Sequence, residues 1–168
     1  LIRSSGGLAA VVDSVRQMRA QTGRGTINFN SNASIPDAID RLADAGVESI
    51  RVSLNSAQEP FYNAYYRPRG YRFADVIESI RRARDAGLYT MLNYLVFPGV
   101  SDRADEIEAL SRLIDETGID MVQMRNLSLD PILYLASLGV EGRGIGMLEM
   151  LRQHKRRFPQ LQYGYFNR

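Results

Sequence analysis

The sequence predicts an α/β fold: a partial (β/α) barrel of about four parallel strands with outer helices. Helical and strand-like patterns alternate along the 168 residues, which is typical of βαβ units and a parallel sheet. Three junctions repeat, because a helical pattern ends in glycine and a β-rich stretch follows at once in AGVESI, AGLYTM and TGIDMV. With 45% hydrophobic residues and no low-complexity tract, residues 1–168 are expected to form a single domain.

The first half of the chain predicts two helices and two strands. Five apolar residues recur at helical spacing and predict the first helix: Leu8, Val11, Val12, Val15 and Met18. Residues 26–32 alternate between apolar and polar side chains and predict the first strand. Ser34 and Asp37 have the spacing of a capping box, so a helix is expected from there to Gly46. Residues 48–55 alternate again and predict the second strand.

The middle of the chain continues this alternation. Residues 60–71, which are rich in tyrosine and arginine, are predicted to be a loop. Apolar spacing then predicts a helix that stops at Gly87, and residues 88–96 predict the third strand. After a short turn, Asp102 is the expected N-cap of a helix that ends at Gly118.

The last part predicts a fourth strand and a short C-terminal extension. The strand covers residues 119–126, and a short segment follows Pro131. A helix is expected over about 145–157 and a last strand near 161–166. The segment GRGIG (142–146) resembles a dinucleotide-binding loop, but it lacks the third glycine spacing and follows no convincing strand. We therefore predict that it is the turn that enters the last helix.

Small polar residues line one face of the predicted strands. Six of the eight asparagines lie in or at the ends of these strands, although asparagine is disfavoured there. A solvated second face of a two-layer sheet is one explanation, but such faces usually carry threonine, lysine, glutamate and arginine. Short amides and hydroxyls favour an open barrel with a polar interior, which suits a cofactor with a ribose, an amino-acid group and a base.

Composition excludes several kinds of catalytic site. The chain has no cysteine, so it supplies no disulfide and no thiolate for zinc or an iron–sulfur cluster. Its one histidine, His154, lies in the charged run RQHKRRF and is predicted to be a solvated surface residue, which leaves a Ser–His–Asp triad without its base. Asp130 is the only carboxylate expected near a strand end. We therefore assign no catalytic side chain and no metal ligand, and expect a cofactor to carry the chemistry.

The net charge and the hydropathy of the sequence bear on two classes of partner, nucleic acids and membranes. The net charge of +2 is too small to favour a nucleic-acid partner. No apolar run approaches the ~20 residues that a membrane span needs, and the start of the sequence has no signal-peptide pattern. We therefore expect a cytoplasmic protein that does not enter a membrane.

Four segments together resemble the later strands of the radical S-adenosylmethionine (SAM) enzyme core. They are INFNSNAS (27–34), IRVSLNSAQEPFYNAYYRP (50–68), LNYLVFPGVSD (92–102) and DMVQMRNLSLDP (120–131). The resemblance implies that the four predicted strands are equivalent to strands three to six of a (β/α)6 barrel. It also implies an enzyme that reductively cleaves SAM at a [4Fe–4S] cluster and uses the 5′-deoxyadenosyl radical to abstract hydrogen from an unknown substrate.

The resemblance implies a SAM-binding role for eight residues of this sequence, which are Asn30, Asn32, Ser53, Asn55, Asn93, Gly99, Arg125 and Asn126. The first two would face the amino-acid end of SAM or the substrate, and the next two the ribose or the carboxylate. Asn93 and the turn that contains Gly99 would lie near the adenine, and the last two match the region of the sixth strand. Three residues of the predicted loop would be able to reach the substrate: Arg67, Arg69 and Tyr71.

Two motifs of the radical SAM family are missing from this sequence. Neither the CxxxCxxC loop that holds the cluster nor the Gly-Glu-type motif of the second strand is present. We therefore expect the chain to be the C-terminal portion of such an enzyme, inactive alone, with its first strand at an open edge of the sheet that invites self-association. The complete enzyme would need an external electron donor and would act on a small molecule or a peptide.

Two other interpretations remain open. One is a non-catalytic remnant of a barrel that keeps a nucleoside pocket. The other is a trimmed TIM-barrel isomerase or lyase without iron, which would need carboxylate or lysine catalysts at its strand ends.

Overall fold

The computed structural model describes residues 5–164, with side chains from residue 7 onward. The strands are β1 (Asn28–Ser31), β2 (Ser49–Leu54), β3 (Tyr89–Val96), β4 (Met121–Asn126) and β5 (Gln162–Tyr163). The helices are α1 (Ser5–Gln21), α2 (Pro36–Ala45), α3 (Glu59–Tyr66), α4 (Phe73–Asp85), α5 (Ala104–Thr117), α6 (Pro131–Leu138) and α7 (Met147–Arg157).

All five strands belong to one parallel sheet in the order β1-β2-β3-β4-β5. This confirms the predicted α/β partial barrel with helices outside. The last strand expected near 161–166 is present as the two-residue β5. β1 lies at an edge of the sheet, as predicted. Self-association through that edge stays a prediction.

The hydrophobic core lies between the helices and one face of the sheet, which we call the outer face. Val52 pairs with Leu92, and Leu92 pairs with Val122, so one row of fully buried side chains crosses the sheet. Because side chains alternate along a strand, the residues between them point to the opposite, inner face. The inner face is the one that carries the polar residues of the sequence pattern, whereas helices cover the outer face.

Residues 59–66 form helix α3, so the prediction of a loop over 60–71 is wrong for most of that range. Pro60 lies in the first turn of α3, where the backbone N–H that proline lacks would have no partner within the helix. Tyr62 and Tyr66 are four residues apart on one side of the helix, with ring centroids 4.6 Å apart, and Tyr62 is fully buried. Aromatic packing therefore supports a helix in a segment whose composition is typical of loops.

The predicted capping box at the start of α2 is absent. Ile35 occupies the N-cap position, and no side chain caps the helix there. Asp37 instead pairs with Arg82 of α4 at 2.7 Å. The carboxylate therefore joins two neighbouring helices rather than binding the first turn of its own.

His154 is buried, with 1% of its surface exposed, so the prediction of a solvated side chain is wrong. It lies four residues after the fully buried Met150 and four before the partly buried Phe158, on the side of α7 that meets the protein. Its neighbours Lys155 and Arg156 are exposed, as expected for the charged run. Helical spacing, rather than the charge of the neighbours, decides the burial of this residue.

Candidate functional site

A layer of polar side chains crosses the inner face toward the carboxyl ends of three strands. Ser53 of β2 pairs with Asn93 of β3, which pairs with Gln123 of β4. The Asn93 amide nitrogen donates to Ser53 Oγ at 3.4 Å. Asn93 Oδ1 is buried, and no donor among the described residues reaches it. This layer therefore offers a polar ligand one hydroxyl and two amides, and the Asn93 amide has an unused acceptor.

β1 adds asparagines to the inner face at the edge of the sheet. Asn28 donates to Asn30 Oδ1 at 3.1 Å and accepts from the Ser49 hydroxyl at 2.9 Å. Asn30 is exposed, as is Asn32 just after the strand. Both line a cavity of about 270 Å³ between β1 and α2. A larger cavity of about 500 Å³ lies at the opposite, amino end of the sheet and contains none of the residues predicted to bind SAM.

Asn55, just beyond β2, is fully buried. Its amide nitrogen donates to the Phe61 carbonyl of α3 at 3.1 Å and to the Tyr134 hydroxyl of α6 at 3.3 Å. Burial raises the pKa of Tyr134, so its hydroxyl stays protonated. Asn55 therefore ties α3 and α6 to the end of β2 and does not face an open cavity.

Gly99 lies in a tight turn after β3, with a positive φ of 85°. Its amide donates to Asp102 Oδ1 at 2.5 Å, and the Phe97 amide donates to Ser101 Oγ at 2.9 Å. The prediction that Asp102 caps α5 is wrong, because Arg103 occupies the N-cap position. The carboxylate is used instead to fix the turn that precedes the helix.

The remaining predicted residues lie around the rim of the carboxyl end. Arg125 and Asn126 are both exposed at the end of β4, and by alternation they point to opposite faces of the sheet, Arg125 to the inner one. Arg67 and Arg69 are exposed on the connection from α3 to α4. The Tyr71 hydroxyl lies 3.2 Å from the hydroxyl of Tyr62, so Tyr71 extends the buried aromatic cluster.

Glu106 of α5 is a buried carboxylate that the sequence analysis missed. It is fully buried and accepts four hydrogen bonds, from Ser56 Oγ at 2.6 Å, the Ala57 amide at 2.7 Å, Gln58 Nε2 at 2.9 Å and the Tyr94 hydroxyl at 2.6 Å. Burial raises the pKa of Glu106, although the four donors act in the opposite direction. The signal was present, since Glu106 lies four residues before Leu110 on the apolar side of α5.

The inner face is rich in binding groups and poor in catalytic ones. Within the described strands, its only charged side chains are Arg51 and Arg125, and it carries no carboxylate. No group of three or more histidine, aspartate or glutamate side chains in residues 7–164 is arranged to hold a metal ion. With no cysteine in the sequence, the residues present do not fit an iron–sulfur cluster. They do fit SAM, because Asn93 Oδ1 and its neighbours match a ligand with hydroxyl and amino groups.

No helix within the described part of the chain has both the length and the apolar composition to cross a bilayer.

Residues 7–114, well over half of the chain, match the family model of the radical SAM superfamily. This match favours neither a non-iron isomerase or lyase nor a nucleoside-binding remnant.

Solved structures with the same fold agree with this match. A domain of pyruvate-formate lyase-activating enzyme from Bacteroides vulgatus is similar at a TM-score of 0.67 and 10% identity, covering 94% of this chain and 91% of that one. Methylornithine synthase gives a TM-score of 0.66 and 15% identity, over 92% of this chain and 44% of that one. Coproporphyrinogen III oxidase from Escherichia coli gives a TM-score of 0.60 and 13% identity, over 91% of this chain and 37% of that one. This chain thus spans less than half of the last two proteins.

Proposed function

Because this chain belongs to the radical SAM superfamily, we propose that it forms most of the SAM and substrate pocket of a radical SAM enzyme. When bound, SAM and a [4Fe–4S] cluster together supply hydrogen abstraction from the substrate. The cluster ligands come from outside these 168 residues, since the chain has no cysteine. We also propose that the complete enzyme takes its electrons from an external donor and acts on a small molecule or a peptide.

The observation that carries the proposal is the polar layer on the inner face. Ser53, Asn93 and Gln123 lie in one register row across three neighbouring strands. Asn93 Oδ1 is a buried acceptor that no described donor satisfies, and such atoms are rare in folded proteins unless a water or a ligand completes them. The amino group of the adenine of SAM is a donor of the kind that this oxygen needs.

Each part of SAM has a proposed set of partners. Asn30 and Asn32 face the amino-acid end of SAM or the substrate, and Ser53 the ribose or the carboxylate. Asn93 and the Gly99 turn lie near the adenine, and Arg125 reaches in from the end of β4.

Three other predicted residues have proposed roles that follow from their positions. Because the Asn55 amide is fully buried between α3 and α6, we propose that it fixes the end of β2 instead of touching SAM. Asn126 borders the pocket from the outer face. Arg67 and Arg69 are exposed where they would meet a substrate, and Tyr71 supports their loop from the aromatic cluster.

A binding measurement with matched variants tests the proposal. Equilibrium dialysis of the full chain against radiolabelled SAM should give saturable binding of one SAM per chain. Asn93→Leu keeps the branched shape and the number of side-chain heavy atoms but removes the unsatisfied acceptor. It should weaken binding about tenfold or more, the loss expected for a hydrogen bond to a charged or strongly polar group. Asn63→Leu, at an exposed position of α3, is the control and should bind as the parent chain does. Equal affinity of all three chains would contradict the proposed pocket.

A further inference from the structure

The segment GRGIG (142–146), between α6 and α7, is bound to the turn that follows β3. Asp102 makes this connection and is 96% buried, with 4% of its surface exposed. Its Oδ1 accepts from the Gly99 amide at 2.5 Å, and its Oδ2 accepts from the Gly146 amide at 3.0 Å. One carboxylate therefore holds two backbone segments that are more than 40 residues apart in the sequence.

Two more hydrogen bonds fasten the same segments together. The Ile145 amide donates to the backbone carbonyl of Asp102 at 2.9 Å. Arg103 Nη1 donates to the Glu141 carbonyl at 2.9 Å. Residues 141–146 thus lie along the turn that contains Gly99 and are held by both backbone and side-chain donors.

Gly144 leaves room for this arrangement. A Cβ atom at this position would overlap the carboxylate of Asp102. The backbone of Gly144 does not have a positive φ, so the requirement for glycine comes from contact and not from conformation. The glycines predicted to form the turn into the last helix do so, since Gly146 is the N-cap residue of α7, and Gly144 has this additional reason to lack a side chain.

We propose that residues 141–146 position the adenine side of the SAM pocket by holding Asp102, and through it the Gly99 turn. This inference rests on the proposed function. Gly144 and Asp102 are positioning residues: neither touches SAM, and both act through the Gly99 backbone. A carboxylate that accepts two amides restrains the turn before SAM arrives, which lowers the entropy lost on binding.

Amide hydrogen exchange and ligand binding, measured on the same variants of the full chain, test the proposal. Gly144→Ala should displace Asp102, so exchange at the amides of Gly99 and Gly146 should become about tenfold faster or more. Binding of S-adenosylhomocysteine, followed by NMR titration, should weaken by a similar factor. Arg143→Ala, at an exposed position of the same segment, is the matched control and should change neither quantity.

Asp102→Asn keeps the test valid if Gly144→Ala does not fold. The asparagine retains one carbonyl oxygen, so it can accept from only one of the two amides. It should therefore bind S-adenosylhomocysteine more weakly than the parent chain but more tightly than Asp102→Ala. This graded rescue is not expected of a residue that only adds to global stability.

The outcomes separate the two claims. If the parent chain binds S-adenosylhomocysteine and Gly144→Ala binds it equally well, the positioning role is wrong and the proposed function stands. Faster exchange at Gly99 without loss of affinity also overturns the positioning role. If the parent chain does not bind S-adenosylhomocysteine, the proposed function fails, and the positioning role fails with it.

Discussion

Glu106 shows how a single buried carboxylate organises the loops around the proposed pocket. Three of its four hydrogen-bond donors lie in residues 56–58, directly after β2, and the fourth is the Tyr94 hydroxyl of β3. Burial raises the pKa of Tyr94 well above its usual value, so the hydroxyl remains a donor. Glu106 therefore fixes the segment that follows the inner-face residue Ser53, although it lies on a helix behind the sheet.

Replacing Glu106 should destabilise the fold more than replacing an exposed glutamate of the same helix. Glu106→Ala leaves four donors, two of them on fully buried residues, without this acceptor, and we expect a loss of about 3–5 kcal/mol in the free energy of unfolding. Glu108→Ala, which removes an exposed ion pair with Arg157, should cost less than about 1 kcal/mol. Urea denaturation of the two variants measures both values. Equal losses would mean that the buried hydrogen bonds contribute nothing specific.

His154 makes the stability of the fold depend on pH. Burial, and then the charge of Arg157, lowers the pKa of His154 below its usual value of 6.5. Below pH 6.5 the unfolded chain therefore binds a proton that the folded chain does not, so the stabilisation present at higher pH is lost as the pH falls.

Urea denaturation at pH 7.5 and pH 5.5 tests this pH dependence. The parent chain should lose more stability between these values than His154→Leu, by at most about 1.4 kcal/mol per pH unit for one proton. Lys155→Ala, at the exposed neighbouring position, should behave as the parent chain does. An identical pH dependence in the parent chain and His154→Leu would show that His154 does not titrate differently on folding.

At the scale of elements, the strands were predictable because their pattern is local. Each of the four predicted strands is present, and β2 and β3 begin and end within one residue of their predicted bounds. Parallel order follows from the repeated helix–glycine–strand junctions. α3 was missed because its helical state depends on the packing of Tyr62 under other elements, which local composition does not reveal.

The site was predictable only in part, since a sequence pattern gives faces but not contacts. Alternation assigned Ser53 and Asn93 to one face, and the register brings them together. It also assigned Asn55, but this residue lies beyond the end of β2, where alternation no longer applies, and is covered by α3 and α6. The roles of Glu106 and Asp102 depend on loops that meet only in the folded chain.

Three glycines that follow helices, Gly23 after α1, Gly46 after α2 and Gly87 after α4, should tolerate substitution unequally. At Gly46, with φ of 108°, a Cβ would approach Arg19 Cγ to 2.7 Å, so Gly46→Ala adds a close contact to backbone strain. Gly87 also has a positive φ, but nothing lies within 4 Å, and at Gly23 neither restriction applies. We expect losses of about 1–3 kcal/mol for Gly46→Ala, about 1 kcal/mol for Gly87→Ala and close to none for Gly23→Ala. Thermal denaturation of the three variants gives the order of these losses. A different order would contradict the role of the close contact at Gly46.

At the scale of the whole molecule, the two faces of the sheet differ in the side chains that they carry. Helices and the outer face form the hydrophobic core, whereas the inner face carries polar side chains, among them Asn93, whose Oδ1 has no donor among the described residues. Folded proteins rarely leave such groups without a partner, because an unsatisfied buried oxygen costs free energy. Under the proposed function, binding of SAM rather than stability explains the polar residues of the inner face.

The chain should not assemble an iron–sulfur cluster. Such clusters need thiolate ligands, and the 168 residues contain none. Anaerobic incubation with iron, sulfide and a reductant, followed by gel filtration, should leave no visible absorbance on the protein and no cleavage of SAM. As a positive control, the same incubation with a polypeptide that has a CxxxCxxC loop should give cluster absorbance. Cluster absorbance on the chain alone would contradict this account.

The most direct test of the central claim, that the inner face binds SAM, is an NMR titration of the full 18.9 kDa chain. SAM should shift the amide signals of Ser53, Asn93 and Gly99 progressively and to saturation. Signals from the cavity at the amino end of the sheet, such as those of Gly118 and Leu161, should not move. Shifts that are absent, or that are confined to the amino-end cavity, would contradict the claim.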